Sequence, residues 1–115
     1  MDLKKFNTLK RNYDKFIQEA EEALNQESAK DQTRSVWFDR QTIEKLLAQT
    51  DPKMGGLKIY LGMYDEDTLS ERDDPERATE YIGKLTVILA ASDENQDPDQ
   101  EKLIVNGGKV CPPDC

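Results

Sequence analysis

The sequence contains no histidine among its 115 residues. Histidine has the side-chain pKa nearest neutral pH, and it is the usual general base and a common metal ligand. Its absence excludes Ser–His and Cys–His nucleophile pairs and all histidine-ligated metal sites. A glycine-rich phosphate loop is missing too, because Gly55-Gly56 is not followed by Lys-Ser or Lys-Thr. These absences exclude most familiar enzyme classes, and the enzymatic alternative left open is a cleft that uses carboxylates and tyrosines beside Tyr60 and Tyr64.

Long apolar runs are also missing. The first twenty residues hold no stretch of roughly 7–15 apolar residues that could form the core of a secretory signal. No segment reaches the ~18 apolar residues that a membrane-spanning helix requires. We expect a cytoplasmic protein without membrane association.

Basic residues are outnumbered by acidic ones, 16 against 24, which gives a net charge of −8. A polyanion is repelled by such a chain, so nucleic-acid binding is not expected. An acidic surface instead suits a basic protein partner. The leading hypothesis is a small, acidic, non-enzymatic protein-interaction module. The charge pattern carries no prediction about oligomeric state.

The N-terminal part of the chain is predicted to form one amphipathic helix over residues 3–28. Apolar side chains recur there at spacings of three and four, so they share one helix face. This face is expected to pack against a sheet. Its members are Leu3, Phe6, Leu9, Tyr13, Phe16, Ile17, Ala20, Ala23 and Leu24.

A second, shorter helix is predicted over about residues 40–49. Asp39 precedes it and is a favourable N-cap residue, because its carboxylate can accept a hydrogen bond from the first turn. Ile43, Leu46 and Leu47 are expected to face inward.

Two long strands are predicted, at residues 57–64 and 84–92. The first alternates between apolar and other residues, and the second is apolar on both faces, as a central strand is. We expect them to be antiparallel neighbours, with short strands at 35–38 and 103–105. The apolar face of the first strand consists of Leu57, Ile59, Leu61 and Met63.

These elements predict a single α+β domain. A small, mainly antiparallel sheet of three to four strands is expected to pack against the long N-terminal helix and the shorter second helix. A chain of 115 residues has room for one core. Its parts are the helix at 1–28, the core at 29–105 and a Cys-containing tail at 106–115.

Both cysteines lie in this tail, as Cys111 and Cys115, with Pro112-Pro113 between them. A disulfide requires α-carbons within about 7 Å, whereas extended Pro-Pro spans ~3 Å per residue. Closure therefore requires a turn, such as a cis proline gives. The alternatives are two reduced thiols, a disulfide, or half of a zinc site completed by a dimer. A metal-binding or thiol-redox protein is the alternative function.

The acidic segments at 65–80 and 93–101 do not match a calcium-binding loop. In the first, Leu69 and Ser70 occupy a ligand position and the glycine position, and in the second Pro98 stands where glycine is required. No cofactor is expected, and Cys111 and Cys115 are the candidates for a metal site.

Tyr60 and Tyr64 are the candidate binding-surface residues. They fall on one face of the predicted strand with Gly62 between them, which would leave a shallow gap flanked by two phenols. The competing interpretation is that they form a second core layer beneath a helix. Trp37 is expected to anchor the core rather than to stack on a ligand.

Four segments carry a resemblance to a known group of proteins. They are Ser35-Val-Trp-Phe38, Gly56-Leu-Lys-Ile-Tyr-Leu-Gly-Met-Tyr64, Thr86-Val-Ile88 and the terminal Cys-Pro-Pro-Asp-Cys115. From about residue 35 to its end, the chain resembles small proteins of Bacteroidetes-type bacteria that share a C-terminal Cys-Pro-Pro-x-Cys motif and have no assigned activity. The resemblance implies one α+β module and transfers no catalytic residue.

Overall fold

The computed structural model describes residues 1–23, 32–65, 67–68 and 78–115. The C-terminal end of the predicted first helix, 24–28, and most of the acidic segment 65–80 lie outside the described residues. The fold is α+β, as predicted. In chain order its elements are α1 (Leu3–Ala23), β1 (Ser35–Trp37), α2 (Arg40–Leu47), β2 (Gly55–Met63), β3 (Leu85–Asp93), β4 (Ile104–Val105) and β5 (Lys109–Cys111).

The main sheet has the order β2-β3-β4, with both pairs antiparallel. Gly55 lies opposite Asp93 and Met63 opposite Leu85, which confirms that the two long strands are neighbours. β3 is the central strand, as its apolar character on both faces predicts.

The remaining strands form a second sheet, in which β1 pairs antiparallel with β5. The sequence predicted one sheet, and the difference arises because the C-terminal tail returns to β1. Gly108 permits this return. A Cβ atom there would lie 2.5 Å from Cγ1 of Val36 and 2.7 Å from the Phe38 ring, closer than packed atoms approach.

Two apolar clusters hold these sheets. In the first, α2 packs on one end of the β2–β3 pair through Leu46, Leu89 and Ala91. Asp39 caps α2 as predicted, because Thr42 donates its backbone N–H to the carboxylate at 2.9 Å. This hydrogen bonding holds the pKa of Asp39 below its ordinary value.

The second cluster joins the two sheets through the buried side chains Tyr64, Tyr81 and Val110. The rings of Tyr64 and Tyr81 meet edge to face, with centroids 5.7 Å apart. The Tyr81 hydroxyl donates a hydrogen bond to Asp114. The C-terminal tail is thereby fixed to the segment that precedes β3.

The apolar face of α1 is exposed, although its periodicity predicted burial. None of its residues is buried, and Leu3 and Phe16 are 72% and 68% exposed. β2 carries a second exposed stripe, Ile59, Leu61 and Met63. α2 is too short to cover this stripe. Its eight residues span about 12 Å, whereas the nine residues of β2 span about 30 Å.

Among the described residues, no helix combines the length and apolar character that crossing a bilayer requires.

A comparison of two adjacent leucines tests the placement of α2. Leu46 is 1% exposed, whereas Leu47, predicted to face inward, is 40% exposed. We expect Leu46→Ala to lower the free energy of unfolding by about 2–5 kcal/mol, since it leaves a cavity. Leu47→Ala should cost less than about 1 kcal/mol. Urea unfolding measures both, and equal losses would contradict the orientation of α2.

Candidate interaction surface

Polar contacts along one side of α1 hold this helix against residues 32–34. The Tyr13 hydroxyl donates to the Thr33 carbonyl at 2.9 Å. Further along the helix, Asp14 lies 4.0 Å from Arg34. Partial burial and the neighbouring charge of Asp14 raise the pKa of Tyr13, so its phenol stays a donor at neutral pH. These contacts fix α1 without burying its apolar face.

Gln32 connects α1 to the main sheet. Its buried amide nitrogen donates to Glu21 Oε1 at 2.9 Å and to the Gly83 carbonyl at 3.1 Å. Its oxygen accepts from the backbone N–H groups of Thr33 and Leu85, at 2.9 and 2.8 Å. No local pattern in the sequence singles out Gln32, because its hydrogen-bond partners are up to 53 positions away along the chain.

An open groove lies between α1 and the edge of the small sheet. We call it the α1 groove, and its volume is about 620 Å³. The apolar side chains of α1 form one wall, and the other is formed by Arg34 with Ser35 of β1 and Cys111 of β5. The lining residues are Met1, Phe6, Leu9, Lys10, Tyr13, Asp14, Arg34, Ser35 and Cys111.

The charges around the α1 groove are mixed. Lys10 and Arg34 supply positive charge, and Asp14 lies beside Arg34. Lys10 also lies over the Phe6 ring, with its ammonium 5.0 Å from the centroid. The α1 groove therefore combines an apolar wall with three charged residues, a composition compatible with a protein-binding surface.

Cys111 and Cys115 form a disulfide, with their α-carbons 4.6 Å apart. The peptide bonds before Pro112 and Pro113 are both cis, which gives the turn that the sequence requires for closure. Two bonded sulfurs offer no thiolate ligand. In the described parts of the chain, no group of three or more Cys, Asp or Glu residues is arranged to hold a metal ion.

The predicted pair of exposed phenols is not formed. Tyr64 is 2% exposed and packs on Tyr81, so it presents no binding surface. The gap at Gly62 is closed as well, because Cδ1 of Ile88 lies 3.0 Å from the position of an added Cβ. The competing interpretation, a second core layer, fits Tyr64.

Tyr60 is half-buried and belongs to a polar group on the surface. Its hydroxyl donates to Asp97, which also accepts from Lys58 Nζ at 2.8 Å. The hydrogen bond to Asp97 raises the pKa of Tyr60, and the same carboxylate raises the pKa of Lys58. All three groups therefore keep their ordinary charge states at neutral pH. A binding role for Tyr60 stays a prediction.

Trp37 was expected in the core but lies on the surface. Side chains alternate along β1, so Val36 faces the second cluster and Trp37 faces outward. Lys109, its cross-strand neighbour, holds its ammonium 5.3 Å from the ring centroid.

Comparisons of this chain with protein-family models, with curated proteins and with solved structures give no match. The resemblance to small bacterial proteins with a terminal Cys-Pro-Pro-x-Cys motif therefore stays a prediction.

The role of Gln32 is testable by substitution. We expect Gln32→Ala to lower the free energy of unfolding by about 2–4 kcal/mol, since the Gly83 carbonyl and the Leu85 N–H lose a buried partner. Gln18→Ala is the matched control, because Gln18 is exposed and its hydrogen bond in the described structure lies within α1, to Glu22. That change should cost less than about 0.5 kcal/mol.

Urea unfolding gives both free energies, and hydrogen exchange at the Leu85 amide gives the local effect. If Gln32→Ala left that amide as protected as in the wild type, the assigned hydrogen bond would be wrong.

Proposed function

We propose that this chain is a non-enzymatic protein-interaction module whose contact surface is the α1 groove. The observation that carries the proposal is the exposed apolar face of α1, beginning with Leu3, Phe6 and Leu9. A contiguous apolar patch of this kind on a small protein is typical of an interaction site. The polar contacts of Tyr13, Asp14 and Glu21 hold the helix in place while Leu3, Phe6 and Leu9 stay exposed.

The charge distribution supports a basic protein as the partner. The first twenty residues hold five basic and three acidic residues, which gives them a net charge of +2. Because the whole chain has a net charge of −8, the other 95 residues carry a net charge of −10. This acidic remainder attracts a basic protein at long range, and the attraction weakens with salt. The α1 groove then supplies the short-range apolar contact that determines how long the complex lasts. We propose the cytoplasm as the compartment.

Partner binding by two variants, one with a lysine in the α1 groove and one with a lysine outside it, tests this function. Leu9 lines the α1 groove, whereas Thr8, its neighbour, turns its hydroxyl to the Lys4 carbonyl on the helix surface. We expect Leu9→Lys to weaken binding of the natural partner at least tenfold, because a charge replaces an apolar contact. Thr8→Lys adds the same charge outside the groove and should bind as the wild type does.

The partner is captured from native lysate at about 0.1 M and 0.5 M salt. Its affinity for the wild type and for each variant is then measured by a binding titration. The proposal fails if repeated captures give no salt-sensitive partner. It fails equally if Leu9→Lys and Thr8→Lys bind alike.

A second candidate function is a thiol-redox or metal-binding role for Cys111 and Cys115. The observation that favours it is the disulfide itself, since Cys115 is exposed and open to attack by a thiolate. Reduction by an external dithiol would yield two thiols here and a disulfide on the reductant. The reduced pair could then supply two thiolates to a zinc ion.

Thiol titration and zinc analysis test this alternative. We expect two reactive thiols per chain after dithiol treatment, and their disappearance on reoxidation. Substitution of both cysteines by serine should abolish the cycle. Thiols that resist titration, absence of zinc after reduction, and wild-type partner binding in the serine variant would together remove this role.

A further inference from the structure

β2 has an open edge. In the described structure this nine-residue strand pairs with β3 alone, so its other side carries unpaired backbone groups. Leu61 is 88% exposed, and Ile59 and Met63 are exposed beside it. A long apolar edge strand is a template for pairing with another strand. At the opposite edge of the sheet, β4 has only two residues.

Alternate residues of β2 direct their backbone N–H and C=O groups to opposite sides of the strand, and the hydrogen bonds to β3 show which residues face the open edge. Tyr64 donates its N–H to the Lys84 carbonyl at 3.0 Å, and Glu94 donates to the Met54 carbonyl at 3.1 Å. Even-numbered residues of this strand therefore direct their backbone groups towards β3. Because the direction alternates along a strand, Leu57, Ile59 and Leu61 direct theirs towards the open edge.

The side chains of β2 form a palindrome. The segment Gly56-Leu-Lys-Ile-Tyr-Leu-Gly62 reads alike in both directions, apart from Lys58 and Tyr60. An antiparallel partner of the same sequence, centred on Ile59, places Leu57 of one copy opposite Leu61 of the other. Glycine lies opposite glycine in the same register. The residues opposed in this register, Leu57, Ile59 and Leu61, are the ones whose backbone groups find no strand partner among the described residues.

The charges also fit this register. Lys58, the one charged residue of β2, lies opposite Tyr60 of the second copy, so no like charges meet. The Lys58 ammonium already lies 5.6 Å from the ring centroid of its own Tyr60, a favourable cation–π distance. A lysine–tyrosine pair across the strands is thus compatible with the geometry present in one copy.

We propose that β2 pairs with β2 of a second copy about a two-fold axis at Ile59. The three-stranded sheets of both copies then become one six-stranded antiparallel sheet. A two-fold interface requires a surface that is complementary to itself. β2 meets this requirement in three ways: the backbone groups that face the open edge oppose each other, the side chains match, and no like charges meet. This complementarity favours a second copy over an unrelated strand. The proposal is independent of the α1 groove and goes beyond the interaction function.

Sedimentation of the full chain between about 1 µM and 500 µM tests the pairing. We expect a dimer of twice the 13.2 kDa chain mass in the wild type. Leu61→Pro should remove it, because proline eliminates an N–H at the open edge while the bonds to β3 remain. Leu61→Lys should weaken the dimer at least tenfold. Phe16→Lys, which changes an exposed residue on α1, should leave it intact.

The register is tested by cysteine cross-linking. In a hydrogen-bonded antiparallel pair the α-carbons are about 5.5 Å apart, which suits a disulfide. Ile59→Cys should therefore form a covalent dimer, and peptide mapping should identify the bond between the two introduced cysteines. Met54→Cys, exposed but outside the strand, should stay monomeric on a denaturing gel.

Three results would overturn the proposal. The first is a monomer at every concentration, and the second is a dimer that survives Leu61→Pro in a variant with wild-type circular dichroism. The third is a dimer lost in Phe16→Lys but retained in Leu61→Lys, which would place the interface on α1.

Discussion

The side-chain amide of Gln32 is the contact on which the arrangement of the parts depends. β4 pairs with Leu89 and Ala90 of β3, so within the described part of the chain no strand pairs with the N–H of Leu85 on that side. The Gln32 oxygen accepts this hydrogen bond, while its nitrogen reaches Glu21 on α1. One buried polar group thus extends the sheet edge and anchors the helix. Because a buried amide must satisfy its donors and acceptor, it fixes the geometry of both.

Polar anchoring of α1 explains why so much apolar surface stays open. A helix held by apolar packing would have buried its aromatic face, whereas α1 is held by the polar groups of Tyr13, Asp14 and Glu21. α2 is too short to cover both ends of the β2–β3 pair. The molecule therefore presents an apolar helix face beside a groove and, separately, an apolar strand edge. Both interaction proposals follow from this division, one for a different protein and one for a second copy.

Local signals in the sequence identified most of the elements. Asp39 predicted the start of α2 correctly, because an N-cap acts within one helical turn. The alternation in β2 and the apolar run in β3 predicted neighbouring strands, since the side-chain period depends on the strand alone. The packing partners of individual side chains could not be predicted from the sequence. Nothing local distinguishes a Trp37 that faces outward from one in a core, or a Tyr64 in a platform from one buried against Tyr81.

By itself, the sequence determined the α+β class, the positions of the two long strands and the nearly palindromic order of side chains along β2. These properties depend on periodicity and on residues near each other in the chain. Only the tertiary structure decided which apolar faces are covered, that the tail pairs with β1, and that Gln32 joins α1 to β3. Those outcomes depend on contacts between residues far apart in the chain, and whether an apolar face is covered depends on the length and position of its neighbour.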